Sequence, residues 1–407
     1  MPRSRGRRPK NRRQTHPSGK RTASWSDPEL ASYLPYVHIQ QAVNARERAG
    51  DAAGALDLME RHPYGPDGRP YWAWWRVERL VQVASMPDLL PGWVMSRWLL
   101  AQALIHLDDR VRGITTQALE AAFHVNGQPE LSGARDPRSR DAICRIMDHD
   151  WVFRQAFLYE YGGLQHFLSG GFAPALARQA DSIDVWAATP MAAYRLVNQA
   201  PRTITWQQVG TDEVADSLNL GAAVELSDGD HVIGRLVPCA EGRVFESAPL
   251  PVSDEVAEQV AADPADWMEL LARHRGRSTL SWQGDDFSLV TDLPTHVWRG
   301  LAEDHSSVLR ETFGADRDGE IVLTGEDLDR MTGDLVLAAL AGRLDGESSV
   351  RAWPCVAAAA VAPGAWNHVL SSVGRADATA VAALGQKLVG PAAELCWRTA
   401  RLLRETA

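Results

Sequence analysis

From Trp25 to about Ala200 apolar residues return at steps of three and four, with few β-branched runs; between about 202 and 252 the period shortens to two. A helix repeats its buried face every 3.6 residues and a strand every two, so neither segment can serve as the other. This change of period predicts an α+β fold. It comprises a helix-rich N-terminal domain over 25–200, a small β module over 201–252 and a mixed, mostly helical C-terminal domain with a short sheet over 253–407.

Residues 36–60 read as a helical hairpin turning at Ala49-Gly50-Asp51, and further helices are expected near 71–84, 92–107, 110–125, 138–160 and 173–197. In the β module the extended runs are 203–206, 222–226, 231–237 and 242–246, with Asp228-Gly229-Asp230 as a hairpin turn between the second and third. Ser253 is placed to cap a helix running to about Arg275. A hairpin is expected over 278–291, a helix over 295–312 and a strand over 320–323. Thr324 and Asp327 have capping spacing for a helix ending near Arg343. The remainder reads as helical, interrupted at Gly390-Pro391.

The run Asp228-Gly229-Asp230-His231-Val232-Ile233-Gly234-Arg235-Leu236-Val237-Pro238, closed by Phe245-Glu246-Ser247-Ala248-Pro249-Leu250-Pro251-Val252, resembles a β segment of uncharacterised bacterial proteins. The resemblance covers residues 203–252 and implies no activity.

Charge is distributed unevenly. The first 21 residues hold nine Lys or Arg and no acid, so the rest of the chain keeps 33 basic residues against 52 acidic, about −19. A like-charged block without apolar side chains is expected to stay disordered and to act as an arm over 1–24 for nucleic acid or another polyanion. The residues that would carry this contact are Arg3, Arg5, Arg7, Arg8, Lys10, Arg12 and Arg13. Within them, Arg5-Gly6-Arg7-Arg8-Pro9-Lys10 resembles an AT-hook, with one extra arginine before the proline. That resemblance implies insertion into a narrow, A·T-rich minor groove.

No apolar segment follows the arginines, so an export signal is not expected. The uncharged stretch Trp353–Trp366 is 14 residues long and broken by Pro354, Pro363 and Gly364, too short to span a bilayer. Cys144, Cys239, Cys355 and Cys396 form no CxxC pair and read as reduced core thiols of a cytoplasmic protein.

Two further constellations read as structural. Trp72, Trp75 and Arg79 share a helical face with Trp74 opposite, as in a helix packed on two sides. Asp141, Asp148, His149 and Asp150 fit a solvated helical ladder around Arg145. Asp316-Arg317-Asp318-Gly319 reads as a turn. No linear signature of a catalytic, cofactor or metal site is present. The expectation is a non-enzymatic cytoplasmic adaptor or regulator, binding a polyanion through the arm and protein through the helical domain. The alternatives are a hydrolase-like enzyme with a site between domains and a structural subunit of an assembly.

Overall fold

Local chemistry sets the ends of the N-terminal helices. The computed structural model describes residues 27–65, 68–106, 108–128, 137–274, 288–313, 323–344 and 349–405. Helices α1 (Asp27–Arg48) and α2 (Ala52–Arg61) form the expected hairpin. Gly50 turns with φ +78°, in the left-handed region where a Cβ is disfavoured, and the Asp51 carboxylate caps α2 by accepting from the Gly54 amide at 2.8 Å. Three helices follow near their expected places: α3 (Trp74–Ser85), α4 (Gly92–Leu104) and α5 (Asp109–Val125).

The helix expected over 138–160 is three pieces: α6 (Pro137–His149), α7 (Trp151–Gln155) and a π-helical turn, Ala156–Glu160. Asp150 makes the first break, because its side chain accepts from the Phe153 amide at 2.7 Å and so starts a new helix. Then come α8 (Gly163–Ser169), α9 (Pro174–Gln179) and α10 (Ile183–Ala188). The helix expected to reach 197 stops at Thr189-Pro190, since proline disfavours helical backbone in its predecessor.

Past that proline the chain enters the central strand of a sheet, β1 (Ala192–Gln199), which pairs with β2 (Thr203–Gln208) on one side and β4 (His231–Gly234) on the other. With β3 (Val214–Leu218) and β7 (Leu250–Val252) the order is β3-β2-β1-β4-β7, antiparallel throughout, and the register shifts between Leu196 and Asn198. β5 (Leu236–Cys239) and β6 (Gly242–Phe245) make a separate hairpin. Two expectations fail here. Residues 222–226 are turns, closed by Val224 N–H to Gly221 at 3.1 Å and Leu226 N–H to Ala223 at 3.0 Å, so Asp228-Gly229-Asp230 leads into β4 without pairing it to them. The run 231–237 is split at Arg235, whose guanidinium turns into the protein interior.

The sheet has a hydrophobic cluster on each face. Successive residues of a strand point to opposite sides, so Val232 joins Tyr194, Leu196, Ile204, Trp206 and Phe245, while Ile233 joins the main core. That main core is continuous from Val43 through Trp98, Trp151 and Leu335 to Ala400. The N-terminal and C-terminal helices therefore share one interior.

In the C-terminal part Ser253 caps α11 (Asp254–Ala262), accepting from the Val256 amide. The single helix expected to Arg275 is broken by Pro264, and α12 (Trp267–Arg273) resumes beyond a short 3₁₀ turn. The helix expected over 295–312 is likewise two, α13 (Thr295–His305) and α14 (Ser307–Phe313), because Ser306 is extended. Thr324 and Asp327 form a reciprocal capping box on α15 (Gly325–Leu340). The chain closes with α16 (Ser349–Ala360), α17 (Ala365–Ser372), α18 (Ala378–Lys387) and α19 (Gly390–Glu405), with Gly390-Pro391 at the expected interruption. Of the hairpin expected at 278–291, residues 278–287 lie outside the described residues and 288–291 are irregular. The strand at 320–323 and the Asp316–Gly319 turn lie outside them too, apart from Leu323. Among the described residues no helix is long and apolar enough to cross a membrane.

Three of the four cysteines are at least half-buried, but Cys144 is exposed on α6, contrary to the expectation of core thiols. Burial pushes the thiols of Cys355 and Cys396 up to about 12 and that of Cys239 up to about 11. A thiolate is the reacting form, so at about pH 8 a disulfide reagent should modify one cysteine rapidly in the native chain. This fast phase should vanish in Cys144→Ser, with the other three reacting only after denaturation.

Candidate functional site

Four side chains separated in sequence meet where α1, α4, α5 and α8 converge. Arg48 ends α1, His106 follows α4, Asp108 is the N-cap of α5, and His166 sits on α8. Asp108 has two roles. Its Oδ1 accepts from the Val111 amide at 2.8 Å, as capping residues do, which leaves Oδ2 facing the two imidazoles. His106 Nε2 lies 3.2 Å and His166 Nε2 2.6 Å from that one oxygen.

A guanidinium can only donate, and an Arg48 Nη lies 3.1 Å from His106 Nδ1. This assigns the tautomer: Nδ1 of His106 accepts and Nε2 carries the proton donated to Asp108. The hydrogen bond from His166, followed by that from the Val111 amide, holds the Asp108 carboxyl well below the usual carboxylate range. Burial, followed by the Arg48 charge, pushes His106 down, consistent with a neutral ring. Phe172 lies 4.0 Å from the His106 ring, centroid to centroid, and Phe167 meets it edge-on at 5.4 Å. The cluster is dry on the His106 side and opens to solvent at Asp108, whose side chain is 30 % exposed.

A second polar group is interior apart from its partly exposed member Glu160. Arg97 on α4 donates from one Nη to the Phe245 carbonyl at 2.6 Å and to Asp292 at 2.8 Å, with its guanidinium over the Trp93 ring. Nearby, Glu246 accepts from Gln155 and lies 3.5 Å from Arg154, while Arg235 bonds Gln155, Glu160 and the Thr189 carbonyl. Arg97, Arg154 and Arg235 thus face Asp292, Glu246 and Glu160, charge for charge. This network ties α4, α7 and the π-helical turn to the strands and to the segment before α13.

A cleft between α3, α13 and α16 is lined by Trp75, Glu78, Arg79, Gln82, Thr295 and Trp298. Its ionic groups engage neighbours: Arg79 covers the Trp75 ring at 5.0 Å, and Glu78 pairs with Arg299 at 3.6 Å.

The residues singled out from sequence are distributed differently. Arg3, Arg5, Arg7, Arg8, Lys10, Arg12 and Arg13 lie outside the described residues. Trp72 is buried but precedes α3, spending its indole N–H on the His62 carbonyl at 2.9 Å, and Trp74 is 59 % exposed, so α3 is not packed on the Trp74 side as expected. Asp148 is exposed. Asp150, expected on a solvated helix face, is a capping residue that also accepts from Asn126 at 2.8 Å, and burial raises its carboxyl pKa. Sequence reasoning missed Arg48, His106, Asp108 and His166. The His106-x-Asp108 spacing is legible, but His166 lies 58 residues from Asp108 and no local pattern connects them.

Comparison with protein-family models, curated proteins and solved structures gives no match.

Proposed function

We propose that the protein is a non-enzymatic cytoplasmic adaptor whose basic N-terminal segment engages nucleic acid or another polyanion while the helical body engages a protein partner. The charge division carries this reading: nine cations and no acid in the first 21 residues, against about −19 in the remainder. Phosphates attract such a segment by counterion release, whereas the acidic body repels them, so binding and folding are separable along the chain. The body supports the reading in that the buried ionic groups Arg97, Arg154 and Arg235 are turned toward Asp292, Glu246 and Glu160 and not toward the cleft at Trp75.

The test is fluorescence anisotropy with a labelled duplex and a labelled single strand, comparing the full chain with a chain lacking residues 1–24. The full chain should bind with an affinity that falls steeply with salt, with a log–log slope of roughly −4 to −8 on duplex if about five to nine phosphates are neutralised. The truncated chain should lose at least about 100-fold in affinity while its melting temperature stays within about 1 °C, because a like-charged stretch poor in apolar side chains has little to bury. Equal binding by the two chains would remove the segment from the function.

A further inference from the structure

We propose that His106, Asp108 and His166 form a binding site for one divalent transition-metal ion of the zinc class, and that Arg48 controls its occupancy. The two imidazole nitrogens and the carboxylate oxygen lie within 4.8 Å of one another, and their individual separations from Asp108 Oδ2 are 3.2 and 2.6 Å. Zinc binds nitrogen and oxygen at about 2.0–2.2 Å, so tetrahedral ligands sit about 3.3 Å apart. Reaching that spacing changes the separation of each imidazole from Asp108 Oδ2 by less than about 1 Å and that between the imidazoles by no more than about 1.5 Å. The donor set of two imidazoles and one carboxylate suits zinc or ferrous iron better than magnesium or calcium, which prefer all-oxygen shells.

The surroundings are arranged as a metal site needs, with one exception. Asp108 Oδ1 is fixed by the Val111 amide, which aims Oδ2 at the ion, and Phe167 and Phe172 wall the His106 side. The exception is Arg48. A ligating neutral imidazole carries its proton on the nitrogen away from the metal and donates it to an acceptor. For His106 that nitrogen is Nδ1, and it faces a guanidinium donor at 3.1 Å.

Loading the site therefore moves the His106 proton from Nε2 to Nδ1 and the His166 proton from Nε2 to its other nitrogen. The Arg48 donor must then withdraw. Its contact with His106 is the only hydrogen bond of the Arg48 side chain among the described residues, so the withdrawal breaks no other such bond there. Arg48 closes the empty site and opposes the filled one.

The experiment is calorimetric titration of the chelator-treated full chain with zinc chloride, together with the visible absorption of the cobalt(II) form, which reports coordination geometry. Wild type should bind one ion per chain. Asp108→Asn keeps a capping side chain and His166→Gln keeps a hydrogen-bond donor toward Asp108, so both should fold, with unchanged circular dichroism and melting before metal is added. Each should weaken zinc binding by at least about 10-fold and abolish the intense cobalt spectrum. Arg48→Gln replaces a donor with a side chain that can accept the Nδ1 proton, and should tighten binding by about 10-fold. Absence of a stoichiometric ion in wild type, or an affinity unchanged in His166→Gln, overturns the site. An affinity unchanged in Arg48→Gln overturns the control assigned to that residue.

Discussion

Replacing Arg97 with methionine should cost about 3–5 kcal/mol of stability at neutral pH, because it leaves the Asp292 carboxylate buried without its counter-charge. Both side chains are almost wholly interior, 1 % and 2 % exposed, and Arg97 also satisfies the Phe245 carbonyl. Burial already raises the Asp292 pKa even with Arg97 beside it. An acid whose pKa is higher folded than unfolded costs nothing below its unfolded value of about 3.9. The cost appears as pH rises and is complete above the folded pKa. Removing Arg97 raises the folded value further. The deficit of Arg97→Met relative to wild type should therefore shrink as pH is lowered from about 8 toward about 4, which urea unfolding at several pH values would measure.

The same cycle isolates the pair. Asp292→Asn added to Arg97→Met removes the uncompensated charge and should recover part of the loss, with a coupling energy of about 1–3 kcal/mol. A deficit that is independent of pH and unrelieved in the double variant would show that Arg97 acts through packing over Trp93 and not through its charge.

Trp206→Ala should destabilise the chain by about 3–5 kcal/mol, the range for deleting a buried indole. Trp206 is 0 % exposed within a cluster of only nine buried residues on one face of the sheet. It meets Phe245 edge-on at 5.3 Å and donates to the Ser217 hydroxyl at 3.0 Å, linking β2 to both β3 and β6. So small a cluster has few neighbours able to move into the space. Trp206→Phe keeps most of the apolar volume and should cost about half as much, through the lost hydrogen bond and the residual cavity. Equal midpoints for Trp206→Ala and wild type in urea would mean that this face of the sheet contributes little to global stability.

The sequence determined what depends on near neighbours. Its change of period placed helices before and after a strand-rich segment. Gly50-Asp51, Ser253 and the Thr324/Asp327 pair marked helix ends because a capping bond spans only about three residues. Proline could equally have marked Thr189-Pro190 and Asp263-Pro264 as helix stops, since its restriction of the preceding residue is also local. The charge of the first 21 residues needed no fold to be read.

Tertiary structure decided the rest. β1 is a strand because β2 and β4 flank it, and its own residues also fit a helical pattern over 173–197. Arg235 interrupts an otherwise regular β run because its partners, Gln155 and Glu160, lie 80 and 75 residues away on the helical side. Arg97 meets Asp292 across 195 residues, and His166 meets Asp108 across 58. A buried charge is tolerated only where the folded chain delivers its partner, and that delivery is a property of the whole packing arrangement. No periodicity within one segment encodes it.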